Sequence, residues 1–170
     1  MIVRDATPDD APAIAAIWNP IVRDTAITFW PTERPAGVIA AMISDRQALG
    51  HAFLVADRGG DAPGTICGFA TYGQFRAGGG YAKSLEHTIH LAPEARGSGA
   101  APLLLGRVED HARQAGGRLM IGAVTGSNDR SVRFHTRQGY AVWGRIPAAG
   151  WKFGQFHDLV LMGKDLSART

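Results

Sequence analysis

The stretch from Ser84 to Gly117, SLEHTIHLAPEARGSGAAPLLLGRVEDHARQAGG, constrains the fold more than any other part of the chain. Residues Ser84 to Leu91 alternate, with Leu85, His87, Ile89 and Leu91 on one face and Glu86, Thr88 and His90 on the other, which predicts a strand. Pro93 ends it, because proline cannot donate to a ladder. The small-residue run Arg96-Gly97-Ser98-Gly99-Ala100-Ala101 follows. A helical apolar pattern then begins at once (Leu103, Leu104, Val108, Ala112, Ala115) and stops at Gly116-Gly117. A loop of this kind leaves several backbone N–H groups pointing outward at a helix start. The helix dipole adds partial positive charge there, so the loop suits a phosphate or pyrophosphate. Two common phosphate loops are excluded. No Gly-Lys-Ser/Thr follows the glycines, and position 102, where the dinucleotide fingerprint needs its third glycine, is proline.

The rest of the chain reads as alternating short strands and helices around this unit. Met1 to Asp5 is a strand. Thr7 caps a helix with Pro8 in its first turn, and Ile14, Ile17, Trp18 and Ile21 recur at helical spacing. Thr25 to Pro35 is irregular, and its Phe29 and Trp30 read as core plugs ahead of pocket walls. Ala36 to Leu49 is a second helix. Ala52 to Asp57 and Thr65 to Phe75 form a hairpin about the turn Arg58 to Gly64. The triple glycine Gly78-Gly79-Gly80 marks a loop between strands. Leu119 to Val124 is a strand, Gly126 to Asp129 a turn, Arg130 to Gln138 a short helix, and Tyr140 to Ile146 and Phe156 to Met162 the last strands. At 170 residues, residues 1–170 are expected to form a single domain.

Arg96-x-x-Gly99-x-Ala101 resembles the pyrophosphate loop of the GNAT N-acetyltransferases, which bind acetyl-CoA. Three further ordered motifs resemble the phosphinothricin/methionine-sulfoximine acetyltransferase family: Leu85-Glu86-His87-Thr88, Asn128-Asp129-x-Ser131-Val132-Arg133-x-His135 and Lys152-Phe153-Gly154-x-Phe156-x-Asp158. The resemblance spans nearly the whole chain. It departs at Pro102, where the family usually has a residue with an N–H, and at Ala101, which replaces the commoner glycine. It implies a mixed α/β GNAT fold, with a central, mostly antiparallel, twisted sheet flanked by helices.

The resemblance also implies roles. Acetyl transfer to an amine needs a base to remove an amine proton. Glu86 matches the family's acidic residue at this position; from the residue alone, a half-exposed strand carboxylate in an ion pair is the plainer reading. His135 stands where many GNAT enzymes carry a tyrosine that protonates the leaving thiolate. It is either that acid, a contact to coenzyme A, or a structural helix histidine. His87 faces the helix-covered side and reads as a core residue. The backbone of Ile89, His90 and Leu91 would pair with the pantetheine arm. Gly97, Ser98, Gly99, Ala100 and Ala101 would cradle the pyrophosphate, with Arg96 adding charge. Asn128 would contact coenzyme A or simply form the turn, and Arg137 would reach the phosphates or lie in solvent. On the acceptor side, Arg76, Gly79, Gly80 and Tyr81 match the loop that holds substrate in relatives, where arginine suits a carboxylate or phosphinate. Lys152 and His157 would enter the site from the same or a neighbouring subunit, since relatives are commonly homodimers.

The formal charge of +3 suits an anionic cosubstrate, and the basic residues form no clustered stripe of the kind nucleic-acid binders carry. Cys67 is alone in a strand pattern and reads as inert core. No histidine, cysteine or acid cluster has metal spacing, so no metal is expected. The start MIVRDATPDD lacks an apolar leader segment and no run approaches membrane-spanning length, so a cytoplasmic protein without membrane partners is expected. The reading that results is acetyl transfer from acetyl-CoA to the α-amine of a small amino-acid analogue. Two alternatives stand beside it: acetylation of a protein or peptide amine, and a GNAT-like domain that senses acetyl-CoA without turnover.

Overall fold

The computed structural model describes residues 1–59 and 65–167. The chain opens with strand β1 (Ile2–Asp5), a short 3-10 turn at Pro8–Asp10, and helix α1 (Ala11–Asp24). Asp10 fixes this entry: its carboxylate accepts from the Thr7 N–H at 2.8 Å and from both terminal nitrogens of Arg4 at 2.8 Å. The Arg4 guanidinium holds the Asp10 carboxyl below its ordinary range. Helix α2 (Ala36–Ala48) follows the irregular stretch 25–35. Strands β2 (Phe53–Asp57) and β3 (Ile66–Gln74) form the expected antiparallel pair. Arg58 and Thr65 are hydrogen-bonded across the base of its turn, and Gly60 to Gly64 lie outside the described residues.

Strand β4 (Ser84–Leu91), helix α3 (Ala100–Gln114), strand β5 (Leu119–Thr125), helix α4 (Asp129–Arg137) and strands β6 (Ala141–Lys152) and β7 (Gln155–Asp165) complete the fold. The seven strands make one sheet in the order β1-β2-β3-β4-β5-β7-β6. Each neighbouring pair is antiparallel except β4 with β5, which run parallel because α3 is the crossover between them. One face packs on α1 and α2 through Phe53, Val55, Phe69, Ile14, Ile39 and Ile43. The other packs on α3 through Leu54, Tyr72, Leu85, Leu104, Met120 and Met162. The sheet is thus mixed, mostly antiparallel and flanked by helices on both faces. Cys67 is buried in the α3-side core.

Two features differ from the reading of the sequence. β6 continues past Ile146 to Lys152, through Pro147. The register shift between Ile146 and Gly150, with Ala148 at φ 53°, absorbs the proline as a bulge. The β6–β7 hairpin is therefore longer than expected and turns at Phe153-Gly154, both at positive φ as such turns require. Phe29 and Trp30 are not core plugs. Phe29 is only partly buried and Trp30 is 58% exposed. Both stand at a cavity mouth, because the stretch 25–35 crosses over the sheet rather than packing into it. Among the described residues no helix is long and apolar enough to cross a membrane.

Candidate active site

Strands β4 and β5 share ladder partners from Ser84–Leu119 to His87–Gly122 and then diverge. Beyond His87, β4 keeps β3 on one side and has no strand on the other. Two cavities meet in this opening. The first, about 520 Å³, holds Glu86, Thr88, Phe29, Trp30 and Thr125. The second, about 760 Å³, is a groove between the Arg96–Ala101 loop and α4. Ile89, His90, Asn128, Ser131 and His135 line both, so the two form one channel from the loop to Glu86.

The loop end of the channel fits a polyanion. Gly97 (φ 83°) and Gly99 (φ 87°) take the left-handed conformation that turns the loop, and the space where their side chains would stand is open. Among the described residues the N–H groups of Gly97, Gly99 and Ala101 have no protein partner, whereas those of Ser98 and Ala100 bond to Ala95 O and Ser98 Oγ. Pro102 contributes no donor. Arg96, Arg130, Arg133 and Arg137 line the same groove, and among the described residues no carboxylate does. The sequence marks Arg96 and Arg137 as cofactor contacts and Arg133 as part of the Asn128–His135 motif, but not Arg130. The signal available for Arg130 was its spacing: positions 130, 133 and 137 recur at helical intervals on α4.

Glu86 is half-buried at the channel's far end. Burial raises its carboxyl above the ordinary value, and the Arg46 guanidinium partly opposes that rise. Asn128 both caps α4, accepting from Ser131 N–H at 3.1 Å, and lines the channel. His135 is 3% exposed. Its Nδ1 lies 2.8 Å from Ser131 O, a pure acceptor, so Nδ1 carries the proton. Its Nε2 is 3.2 Å from His87 Nε2, which must then donate. This leaves His87 Nδ1 as a buried acceptor without a partner. Both histidines are neutral: burial holds His135 below its ordinary value and pushes His87 down to about 3. The same bonds leave His135 no ring N–H for a leaving thiolate, so of its expected roles they favour lining the channel over acid catalysis.

The acceptor-side residues are dispersed. Arg76 lines a separate cavity of about 600 Å³ with Arg46, His51, Tyr72 and Leu85, and Glu86 does not line it. Gly79, Gly80 and Tyr81 form an exposed 3-10 turn and line none of these three cavities. Lys152 is buried, and its ammonium donates to Val22 O at 2.6 Å and Thr28 O at 2.8 Å. It tethers the stretch over the channel, where its place in the sequence suggested a substrate contact. His157 donates to Lys152 O at 3.1 Å and stacks on Phe29, whose ring lies against Gly150. Arg34, which the sequence did not single out, lies over Trp18 at 4.2 Å and Trp30 at 4.4 Å and braces the same wall. Among the described residues no group of three or more histidine, cysteine or acidic side chains could hold a metal.

A profile of the Acetyltransferase (GNAT) family matches residues 18–140. The L-methionine sulfoximine/L-methionine sulfone acetyltransferase of Pseudomonas aeruginosa is 33% identical over 164 residues, 96% of this chain and 94% of that one. Two solved structures superpose closely. A ribosomal-protein-alanine N-acetyltransferase from Brucella melitensis has a TM-score of 0.90 at 31% identity, over 97% of this chain and 99% of that one. A GNAT superfamily phosphinothricin acetyltransferase from Sinorhizobium meliloti, in complex with AcCoA, has a TM-score of 0.89 at 29% identity, over 96% and 87%.

Two outcomes follow from this geometry. Arg133→Gln and Arg137→Gln should each weaken coenzyme A binding, by about tenfold for a charge-assisted contact, and flatten its salt dependence in calorimetry. These variants read binding more cleanly than Gly99→Val, which adds backbone strain at φ 87°. The neutral histidine pair makes stability fall as pH drops. His87 is depressed in the folded state, so its contribution is full above pH 6.5 and is lost toward its folded value near 3. The unfolding midpoint should drop between pH 7.5 and 5.5, and His87→Phe should reduce that drop in thermal melts.

Proposed function

Because the chain belongs to the acetyltransferase (GNAT) family and is an acyl-CoA-dependent N-acetyltransferase, we propose that it acetylates the α-amine of a small amino-acid analogue. The acceptors in this reading are of the methionine sulfone, methionine sulfoximine or phosphinothricin type. The observation that carries it is the continuous channel from the arginine-lined loop to Glu86. Acetyl-CoA supplies the acetyl group as an activated thioester. The N–H groups of Gly97, Gly99 and Ala101, with Arg96, Arg133 and Arg137, hold its phosphates. The free edge of β4 at Ile89 to Leu91 orients the pantetheine arm as a strand partner would. Asn128 and His135 wall the channel where the two cavities meet.

Glu86 is the general base. An amino group is mostly protonated near neutral pH, and a carboxylate raised by burial accepts its proton more readily than one in water. Phe29 and Trp30 close the acceptor end, held by Lys152 and by Arg34. Arg76 reads as an anion contact for the acceptor, at the neighbouring cavity rather than beside Gly79 and Tyr81. The full chain acts as one domain and works as a homodimer. Trp151, Phe153 and Phe156 at the hairpin tip are each at least 58% exposed, an apolar surface suited to a second copy.

A second reading, acetylation of a protein N-terminus, is favoured by the likeness to the ribosomal-protein-alanine N-acetyltransferase. Mass spectrometry after incubation with acetyl-CoA separates the two. Methionine sulfone and methionine sulfoximine should be acetylated with higher kcat/KM than an alanine-ended peptide, and plain methionine should be poorer because its thioether accepts only weakly. A preference for the peptide would overturn the amino-acid reading. Glu86→Gln should lower kcat by about 10²–10⁴-fold with coenzyme A affinity unchanged. The acid limb of the wild-type profile should lie above the ordinary carboxyl value of 4.5, because the base must be ionised and burial raises its pKa.

A further inference from the structure

Gly73 is the residue of β3 paired directly with Glu86. Residues opposite each other in an antiparallel pair send their side chains to the same face, about 5 Å apart at Cβ. At Gly73 that side-chain position is taken by another residue. A methyl group there would collide with Nη1 of Arg46 and lie 3.0 Å from its Nη2. Arg46 comes from the last turn of α2. Its guanidinium therefore fills the slot left by the missing side chain and stands about 5 Å from the Glu86 Cβ.

This guanidinium is left without a carboxylate. None of the ion pairs or side-chain hydrogen bonds among the described residues includes Arg46. It lines the cavity of about 600 Å³ together with Arg76, His51, Tyr72 and Gln74, and among the described residues no acidic side chain lines that cavity. His51 Nδ1 is buried there without a partner. Arg46 also acts on its surroundings: after burial, it is the next largest influence holding the His51 ring below its ordinary value, and it is the charge that opposes the rise of Glu86. A guanidinium on the same sheet face as Glu86, with no carboxylate partner among the described residues, is suited to an anion.

We propose that Arg46, seated in the Gly73 slot, binds the α-carboxylate of the acceptor and so presents the adjacent α-amine to Glu86. This rests on the amino-acid reading above and deepens it. An α-amino acid carries its amine and carboxylate on one carbon, which matches a base and a guanidinium lying side by side on one sheet face. Arg76, across the same cavity, is left for an anionic or strongly polar head group. The pair makes the site selective for a zwitterion: an amine without the carboxylate leaves Arg46 unpaired, and a peptide's internal backbone has no charge to offer it.

Two substitutions remove the contact by different routes. Arg46→Met deletes the guanidinium. Gly73→Ala leaves Arg46 in the sequence but evicts its head from the slot, and the fold survives because the colliding atoms are the far end of a flexible side chain. Each variant and the wild type are assayed with methionine sulfone and with its carboxamide, so differences in intrinsic amine reactivity cancel in the ratio. The wild type should prefer the free acid. In both variants the ratio of kcat/KM, acid over amide, should fall by about 10–100-fold, mainly through KM, and Arg46→Lys should restore part of it. The acid limb of the rate profile should also move to higher pH in Arg46→Met and Gly73→Ala, because burial of Glu86 is then unopposed. A purely structural Arg46 would move neither readout in this direction. Variants that keep the wild-type ratio and the wild-type acid limb overturn the proposal while leaving the amino-acid reading in place. A wild type that does not distinguish acid from amide also overturns it. A wild type that acetylates neither compound overturns the amino-acid reading, and this proposal with it.

Discussion

Beyond His87 and Gly122 the parallel strands β4 and β5 stop sharing hydrogen bonds. A sheet cannot leave backbone groups facing nothing in its interior without a large cost, so the opening must take water or another chain. Its position is set by packing on both faces. Leu85 and Met120 hold the paired ends of these strands against α3, while His135 of α4 meets His87, the last paired residue of β4. The divergence places an unpaired strand edge, a glycine loop at a helix start and a half-buried carboxylate along one path. Remove the divergence and Glu86 becomes an ordinary strand residue.

The walls of that path rest on contacts between distant parts of the chain. Lys152 on β6 holds Val22 and Thr28 by their carbonyls, Thr125 bonds Ala26, and Arg34 sits between two tryptophans. These contacts fix the stretch 25–35 as a roof although it has no regular structure of its own. A buried ammonium on carbonyl oxygens is held only where the alternative is desolvation without partners. Such a roof is therefore ordered by the long hairpin, and the length of β6 and β7 serves the site as well as the sheet.

The strand, loop and helix around Arg96 were legible because every signal is local: alternation, two glycines and a helical repeat within about thirty residues. The core placement of His87 was legible for the same reason, whereas Glu86 was marked by the family resemblance and not by its local pattern. The arginine groove was legible in part, since Arg96 sits in the loop motif and Arg133 in the Asn128–His135 motif, while Arg130 carries no mark beyond helical spacing. Other features needed the third dimension. Arg46 reaches Gly73 from the second helix, on which no residue carried a functional mark. Lys152 meets Val22 across 130 residues. The ring contact of His135 with His87 spans 48 residues, and it is that contact which sets the tautomer and bears on the histidine's role. Phe29 and Trp30 look like core in sequence because aromatic residues usually are, but here a cavity lies beneath them. Pro147 looked like a strand end, and only the pairing register shows it held in a bulge.

In the proposed mechanism the cosubstrate lies in the opening between β4 and β5. Amide hydrogen exchange of the protein with and without coenzyme A tests that directly. New protection is expected within Thr88 to Leu91, at the N–H groups that face away from β3, and at Gly97 to Ala101, with β1 and β2 unchanged, because the arm would pair with the free strand edge and the phosphates with the loop. Unchanged exchange at both segments under saturating coenzyme A, or protection confined to another face of the sheet, would contradict that placement.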